Sequence, residues 1–184
     1  MKGCRPLQNE EINKLFEELN TRDILLCLCG LYFGLRISEI LQLKFKDVTG
    51  EFINIKSKKN SENITFEIPE DLKRAVTNLK EYYIQKNINV TEDTYLILSR
   101  QGGNRPIDRT QANRILARAA DRAGLEGNIN SHSFRKSFVT AIYEVSDYNI
   151  ALTKKYSRHK NLANLDYYIG TCENLDLIKK LNWK

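Results

Sequence analysis

Basic, imidazole and phenolic side chains occur along the chain in an order that could serve phosphoryl transfer. Arginine guanidinium groups stay protonated at any relevant pH and can bind phosphate oxygens bidentately. A tyrosine hydroxyl can act as a nucleophile, and lysine or histidine can transfer protons. The residues of these types that stand out are, in chain order, Arg36 with Glu39 three residues later, the lysines Lys56, Lys58 and Lys59, the segment His132-Ser133-Phe134-Arg135, His159 and Tyr168.

That set of residues, in that order, resembles the tyrosine recombinase family, also called the phage integrase family. The resemblance runs from about Leu7 to Tyr168. It rests on the combination, because each residue alone is typical of a surface or core position. It implies a site-specific DNA recombinase, an enzyme that cleaves and rejoins DNA through a 3′-phosphotyrosyl intermediate without metal or ATP. It also implies double-stranded DNA as partner, a homo-oligomer (a tetramer) on that DNA, and no cofactor.

The resemblance assigns Arg36 and Arg135 to the negative charge that develops on the non-bridging oxygens during phosphoryl transfer. His132 is expected to help accept the proton of the nucleophile and to hydrogen-bond the phosphate. His159 is expected to hydrogen-bond a non-bridging oxygen. Glu39 lies one helical turn after Arg36 and is expected to orient it or its neighbours. Arginines in this role replace the metal clamp of many nucleases, and the sequence has no cluster with metal-ligand spacing.

The nucleophile that the resemblance implies is Tyr168, which follows His159 by nine residues. A covalent phosphotyrosine stores the energy of the broken bond, so a second DNA end can attack it without ATP. In agreement, the sequence contains no glycine-rich phosphate-binding loop of the nucleotide-hydrolase type. Tyr167 is the adjacent rival, and we expect it to be a packing residue beside the nucleophile.

The leaving group in such a reaction is the 5′-hydroxyl of deoxyribose, which departs poorly without a proton and therefore requires a general acid. In the family this role belongs to a lysine in the hairpin between the first two strands. Lys58 best matches the position where the strand runs into the turn, with Lys59 as the runner-up and Lys56 as a third candidate. The turn is longer than is usual for the family, so the choice among the three stays open.

The sequence departs from the family pattern in two respects. Arg158 stands where the family usually has glycine before its histidine, so backbone freedom is lost and the loop geometry is expected to differ. We also expect the usual N-terminal core-binding domain to be absent and residues 1–184 to form a single catalytic domain. Such a chain is either an excised catalytic domain or a short recombinase built from that domain alone.

Two other functions share much of this pattern. A type IB topoisomerase-like enzyme uses the same chemistry on one duplex, and a catalytically silent regulator could bind DNA with the same fold. The short chain and the amphipathic segment beyond Tyr168 favour recombination over a topoisomerase-like activity. The intact set of candidate residues argues against a silent regulator.

Composition agrees with a globular protein and points weakly to a polyanionic partner. The chain has 184 residues, a formal net charge of +6 and a pI of about 9.1. The cysteines Cys27 and Cys29 lie two apart in an apolar helical segment, which is typical of reduced, partly buried thiols. No signal peptide is evident, and the most apolar run, residues 24–35, is too short to span a bilayer. We therefore expect a cytoplasmic protein with no membrane partner.

The helices and strands predicted to carry these residues are mostly helices. Alternating apolar residues predict two strands, residues 51–56 and 64–68, joined in a hairpin with a lysine-rich tip, and a third short strand at residues 94–99. The predicted helices begin near Asn9, near Arg22, after Gly34, at Pro69, at Asp108, after Gly127 and near Asn149, with an amphipathic one in residues 173–183. The predicted fold class is mainly α with a small antiparallel β-sheet (α+β), the fold of the tyrosine recombinase catalytic domain.

Overall fold

The structure of the protein is a computed structural model that describes residues 3–55, 63–159 and 165. Helices dominate this part of the chain, and its two strands form one sheet. The elements are α1 (Asn9–Glu17), α2 (Thr21–Phe33), α3 (Ile37–Ile40), α4 (Phe45–Val48), β1 (Phe52–Ile55), β2 (Ile64–Glu67), α5 (Glu70–Gln85), α6 (Arg109–Arg122), α7 (Ser131–Val145) and α8 (Ile150–Ser157).

Helix α2 forms the centre of the molecule, as its apolar sequence predicts. It begins after Asn20, whose side chain accepts a hydrogen bond from the backbone N–H of Asp23. Five of its apolar side chains, among them Leu25, Cys27 and Phe33, are almost completely buried, and the others are partly buried. Helices α5 and α7 pack against it from different sides. The helix therefore provides a rigid support for the residues that follow its C-terminal end.

Gly34 ends α2 and sets the direction of the chain towards Arg36. Its φ of +57° lies in the left-handed region that glycine adopts without steric cost. A Cβ atom there would lie 2.3 Å from Cδ1 of Phe138 on α7, so no side chain fits. The close approach of α7 to this turn therefore depends on glycine.

The two strands form the predicted hairpin. They pair antiparallel, with Phe52 opposite Glu67 and Ile55 opposite Ile64. Ile53 and Ile55 face the core, while Phe52 is exposed. The lysine-rich tip, residues 56–62, lies outside the described residues.

The prediction of a third strand at residues 94–99 is wrong. This segment makes two isolated bridges, Lys44 with Tyr95 and Leu98 with Pro106. Its apolar residues are buried, which explains the strand-like pattern. Its backbone forms hydrogen bonds first with residues 43 and 45 and then with residues 105 and 107, so no continuous ladder forms.

Two smaller differences from the predicted elements concern α1 and α4. Helix α1 begins at Asn9, but the capping position belongs to Gln8. The short helix α4 was not predicted, and its four residues place Phe45 and Val48 in the core. At the start of α6, Asp108 accepts a hydrogen bond from the backbone N–H of Gln111 at 2.7 Å, as predicted.

The described residues contain no helix long and apolar enough to cross a membrane.

Candidate active site

Arg36 lies at the turn between α2 and α3, and its side chain reaches solvent. The neighbouring Leu35 and Ile37 are buried and anchor the turn, whereas the Arg36 side chain is 50% exposed. The backbone N–H of Arg36 donates to Oε2 of Glu39 at 2.8 Å, and Nη1 of Arg36 lies 3.6 Å from Oε1 of the same carboxylate. Glu39 therefore contacts both the backbone and the guanidinium of Arg36.

Helix α7 carries the His-x-x-Arg motif on its first turn. Asn130 caps the helix by accepting a hydrogen bond from the backbone N–H of His132 at 2.9 Å. His132 and Arg135 are three residues apart and therefore lie on one face of the helix. His132 is exposed near the helix start, and Arg135 is almost completely buried below it.

The buried guanidinium of Arg135 joins the ends of two helices. It donates one hydrogen bond to the backbone carbonyl of Gly34, after α2, and another at 2.5 Å to the carbonyl of Ser157, at the end of α8. Carbonyl groups at helix C-termini carry partial negative charge, which suits a cation. Arg135 thereby fixes the turn that leads to Arg36 relative to the loop that carries His159.

His159 follows the C-terminal end of α8 and is partly buried. Its Nδ1 atom lies 2.7 Å from the hydroxyl oxygen of Ser157. Burial, followed by the positive charges of Arg135 and Arg36, lowers the pKa of His159 to about 4, with smaller contributions from His132 and Arg158. The imidazole is therefore neutral at physiological pH.

His132 experiences the same positive surroundings. Its side chain is exposed on one side, but partial desolvation of the ring against the protein lowers its pKa first, followed by the charges of Arg135, Lys136, Arg36 and Arg109. Both imidazoles of this chain are thus held neutral beside several cations, an arrangement that suits proton transfer next to a bound anion. The structure brings together four of the predicted residues, Arg36, His132, Arg135 and His159.

An open cleft of about 490 Å³ lies beside Arg36 and His132. Its lining includes Arg109 and Asn113 from α6, which sequence reasoning did not assign to the site. The signal that could have found Arg109 is Asp108, because this cap fixes the start of α6 and so places Arg109 on its first turn. The basic cleft is shaped to receive an anionic group.

Two of the predicted site residues lie outside the described part of the chain. They are Lys58, together with its alternatives Lys56 and Lys59, and Tyr168, together with Tyr167. The nearest described residue to Tyr168 in sequence is Leu165, which is fully buried against Phe138 and Val139 of α7. The chain therefore returns to α7 three residues before Tyr168.

In residues 3–55, 63–159 and 165, no group of three or more His, Cys, Asp or Glu side chains is arranged to hold a metal ion. The buried cysteines of α2 are free thiols. Burial raises the pKa of Cys29 to about 12 and that of Cys27 well above its ordinary value. These thiols are therefore inert core residues, as expected from the sequence.

The low pKa of His159 predicts a specific loss of stability in acid. Between pH 6.5 and about 4 the unfolded chain binds more protons at this residue than the folded chain, so the free energy of unfolding should fall as the pH drops through this range. His159→Gln should make the fall shallower, because it removes the titrating group. Urea denaturation at pH 7.5, 6.0 and 5.0 measures the effect.

His132→Gln provides the comparison: the pKa of His132 is also lowered, but less than that of His159, so this variant should make the fall shallower by a smaller amount. NMR titration of the wild-type protein should assign the lower imidazole pKa to His159. An unchanged pH dependence in His159→Gln, or a His159 pKa at or above 6.5, would contradict the buried, cation-surrounded environment described above.

Known proteins similar to this chain bear names of integrases and recombinases. The sequence profile described as "Phage integrase family" matches residues 5–173. The chain is 31% identical over 169 residues to "Probable integrase/recombinase YoeC" of Bacillus subtilis, a match that covers 90% of this chain and 86% of that protein. It is 29% identical over 171 residues to "Tyrosine recombinase XerA" of Pyrococcus furiosus, covering 89% of this chain and 56% of that protein.

Solved structures share the fold. The crystal structure of XerA recombinase matches with a TM-score of 0.75 at 19% identity, covering 100% of this chain and 66% of that chain. The structure of XerH site-specific recombinase bound to its difH substrate before cleavage matches with a TM-score of 0.72 at 23% identity, covering 97% of this chain and 53% of that chain. These likenesses confirm the predicted fold class. They also show that the chain corresponds to little more than half of several longer relatives.

Proposed function

The chain belongs to the phage integrase family, and from that premise we propose that it is the catalytic unit of a site-specific DNA recombinase. The observation that carries the proposal is the assembly of Arg36, His132, Arg135 and His159 around one basic site. These residues come from three separate parts of the chain, so their convergence is a property of the fold. The net charge of +6 suits a polyanionic partner.

In the proposed reaction the two arginines have different tasks. Arg36 is half exposed and can extend towards a phosphate in the cleft, where its guanidinium would bind non-bridging oxygens. Arg135 is buried and bonded to two backbone carbonyls, so it adds positive charge from below and holds the site together. Preorganised charge of this kind stabilises the transition state without rearrangement.

The two neutral imidazoles would handle protons and hydrogen bonds. His132, exposed at the cleft, is suited to accept the proton of the nucleophile. His159 has Nδ1 close to the Ser157 hydroxyl. If that hydroxyl donates to Nδ1, the proton of the ring lies on Nε2 and can be donated to a non-bridging oxygen.

Tyr168 and Lys58 would complete the chemistry. The Tyr168 hydroxyl loses its proton to His132 and its oxygen attacks phosphorus, which forms a 3′-phosphotyrosyl bond. The bond from phosphorus to the 5′-oxygen breaks, and that oxygen takes a proton from Lys58. A 5′-hydroxyl from another DNA strand then reverses these steps, so no ATP is consumed.

The proposed partner is double-stranded DNA, on which the protein assembles as a homotetramer in the cytoplasm. Structures similar to this chain support the DNA partner, since XerH is described as bound to difH substrate and lambda integrase as bound to DNA. Exchange between two duplexes requires four strand cleavages, which is the reason for proposing four subunits. The family likeness and the basic cleft therefore point to the same ligand.

A suicide substrate tests this function directly. The protein is incubated with a duplex carrying a nick beside the cleavage site, so that the released fragment diffuses away and the covalent adduct accumulates. We expect an adduct on denaturing gels, with equal yield in EDTA and in magnesium, because arginines supply the charge stabilisation. A library of duplexes that differ in sequence and in the position of the nick serves as substrate.

The alternatives give different results in the same assay. Loss of cleavage in EDTA, restored by magnesium or zinc, would overturn the metal-free mechanism. Relaxation of supercoiled DNA without strand exchange would indicate a topoisomerase-like enzyme. DNA binding without an adduct from any duplex would indicate a silent regulator.

A further inference from the structure

Arg158 occupies a backbone position that normally suits glycine. It follows the last residue of α8 and directly precedes His159, with φ of +55° and ψ of +36° in the left-handed region. Side chains rarely adopt this conformation, so the surrounding structure must hold it in place. The side chain of Arg158 is 4% exposed, which is unusual for arginine.

A bidentate ion pair holds the buried side chain. Nη1 of Arg158 donates to Oε1 of Glu39 at 3.0 Å, and Nη2 donates to Oε2 at 2.9 Å. This parallel geometry is the strongest form of the arginine–carboxylate interaction. It joins the loop that carries His159 to the helix that begins after Arg36, across 119 positions of sequence.

The same carboxylate also contacts Arg36. Oε2 of Glu39 accepts the backbone N–H of Arg36, and Oε1 lies 3.6 Å from its guanidinium. Burial raises the pKa of Glu39, but the hydrogen bonds from Arg158 and the Arg36 backbone outweigh this and lower it overall. Glu39 is therefore ionised and shared between two cations, of which only Arg36 faces the cleft.

We propose that Arg158 is a positioning residue: by neutralising Glu39 it keeps the Arg36 guanidinium available to a phosphate. Without Arg158, the ionised Glu39 carboxylate would form a closer ion pair with the Arg36 guanidinium. The carboxylate would then compete with the phosphate for that guanidinium. The role rests on the proposed function, because the phosphate is the scissile group of DNA.

Two measurements on the wild-type protein, on Arg158→Gly and on a double variant test this role. The first is the rate of adduct formation with the nicked duplex, and the second is the Kd for inorganic phosphate, followed by NMR of the two imidazoles. Arg158→Gly should lower the rate of adduct formation and raise the Kd for phosphate, each by about 10-fold. This is the size of effect found for directly coupled groups. Glycine suits the left-handed backbone, so this variant adds no strain.

Adding Glu39→Gln to Arg158→Gly distinguishes positioning from a general structural role. The neutral amide no longer captures Arg36, so both quantities should return to within about threefold of wild type. Arg74→Gln is the matched control, because Arg74 forms an exposed ion pair with Asp71 on α5, and it should change neither quantity.

Two results would overturn the inference: wild-type rate and phosphate affinity in Arg158→Gly, or a loss in both that Glu39→Gln does not reverse. Failure of the proposed function is recognised separately. If the wild-type protein forms no adduct with any duplex, the recombinase proposal fails, and the phosphate affinities of the same variants still decide the role of Arg158.

Discussion

Tyr168→Phe should abolish covalent attachment of DNA to the protein and leave DNA binding nearly unchanged. Phenylalanine retains the ring but has no hydroxyl oxygen to attack phosphorus, so the phosphotyrosyl bond cannot form. The binding surface, including Arg36 and the basic cleft, is unaffected. Among single substitutions this one should have the largest effect on the reaction.

Two measurements on the nicked duplex separate the steps. Electrophoresis under native conditions reports binding, and electrophoresis under denaturing conditions reports the adduct, whose attachment site is mapped by peptide mass spectrometry. Tyr167→Phe is the matched control, since it removes the neighbouring hydroxyl, and it should form the adduct normally. An adduct mapped to Tyr167, or one that persists in Tyr168→Phe, would show that the assignment of the nucleophile is wrong.

Features that depend only on the local periodicity of a helix or strand were predicted correctly from the sequence. The break at Gly34 places Arg36 at the end of a buried helix, and the three-residue spacing puts His132 and Arg135 on one face of α7. The hairpin follows from the alternation of residues 51–56 and 64–68. In each case a single helix or strand period determines the result, so no tertiary information is needed.

Features that depend on contacts between distant segments were not predicted. The apolar residues 94–99 resemble a strand, but their neighbours in space, residues 43–44 and 105–107, offer no continuous edge for pairing. Arg109 looks like one of several helix arginines until α6 packs beside α3 and α7. Sequence periodicity carries no information about such packing.

The interpretation of Arg158 changes once its contact with a distant segment is known. In the sequence it is a departure from the glycine expected before His159, and it predicts only an altered loop. In the structure its guanidinium binds Glu39, which is itself bonded to Arg36. Arg158 thus departs from the motif in the sequence, but in the structure it connects the loop that carries His159 to the turn that carries Arg36.

Lys58→Ala should slow DNA cleavage by about 10²–10⁴-fold, the usual contribution of a general acid. The proposed role of Lys58 is to protonate the departing 5′-oxygen, so its loss leaves negative charge on that oxygen. A substrate with sulfur in place of the bridging 5′-oxygen needs no such proton, because thiols are far more acidic than alcohols. Lys58→Ala should therefore cleave the sulfur substrate at close to the wild-type rate.

The same pair of substrates identifies the lysine and separates its role from that of the arginines. Single-turnover cleavage is measured for Lys56→Ala, Lys58→Ala and Lys59→Ala, with Arg36→Ala as the control. Arg36→Ala should stay slow on the sulfur substrate, because its guanidinium acts on the non-bridging oxygens, which the substitution does not change. If the sulfur substrate rescues Lys59→Ala alone, the general acid is Lys59 and not Lys58. Rescue of none of the three would mean that these lysines are merely solvated and that the proton comes from elsewhere.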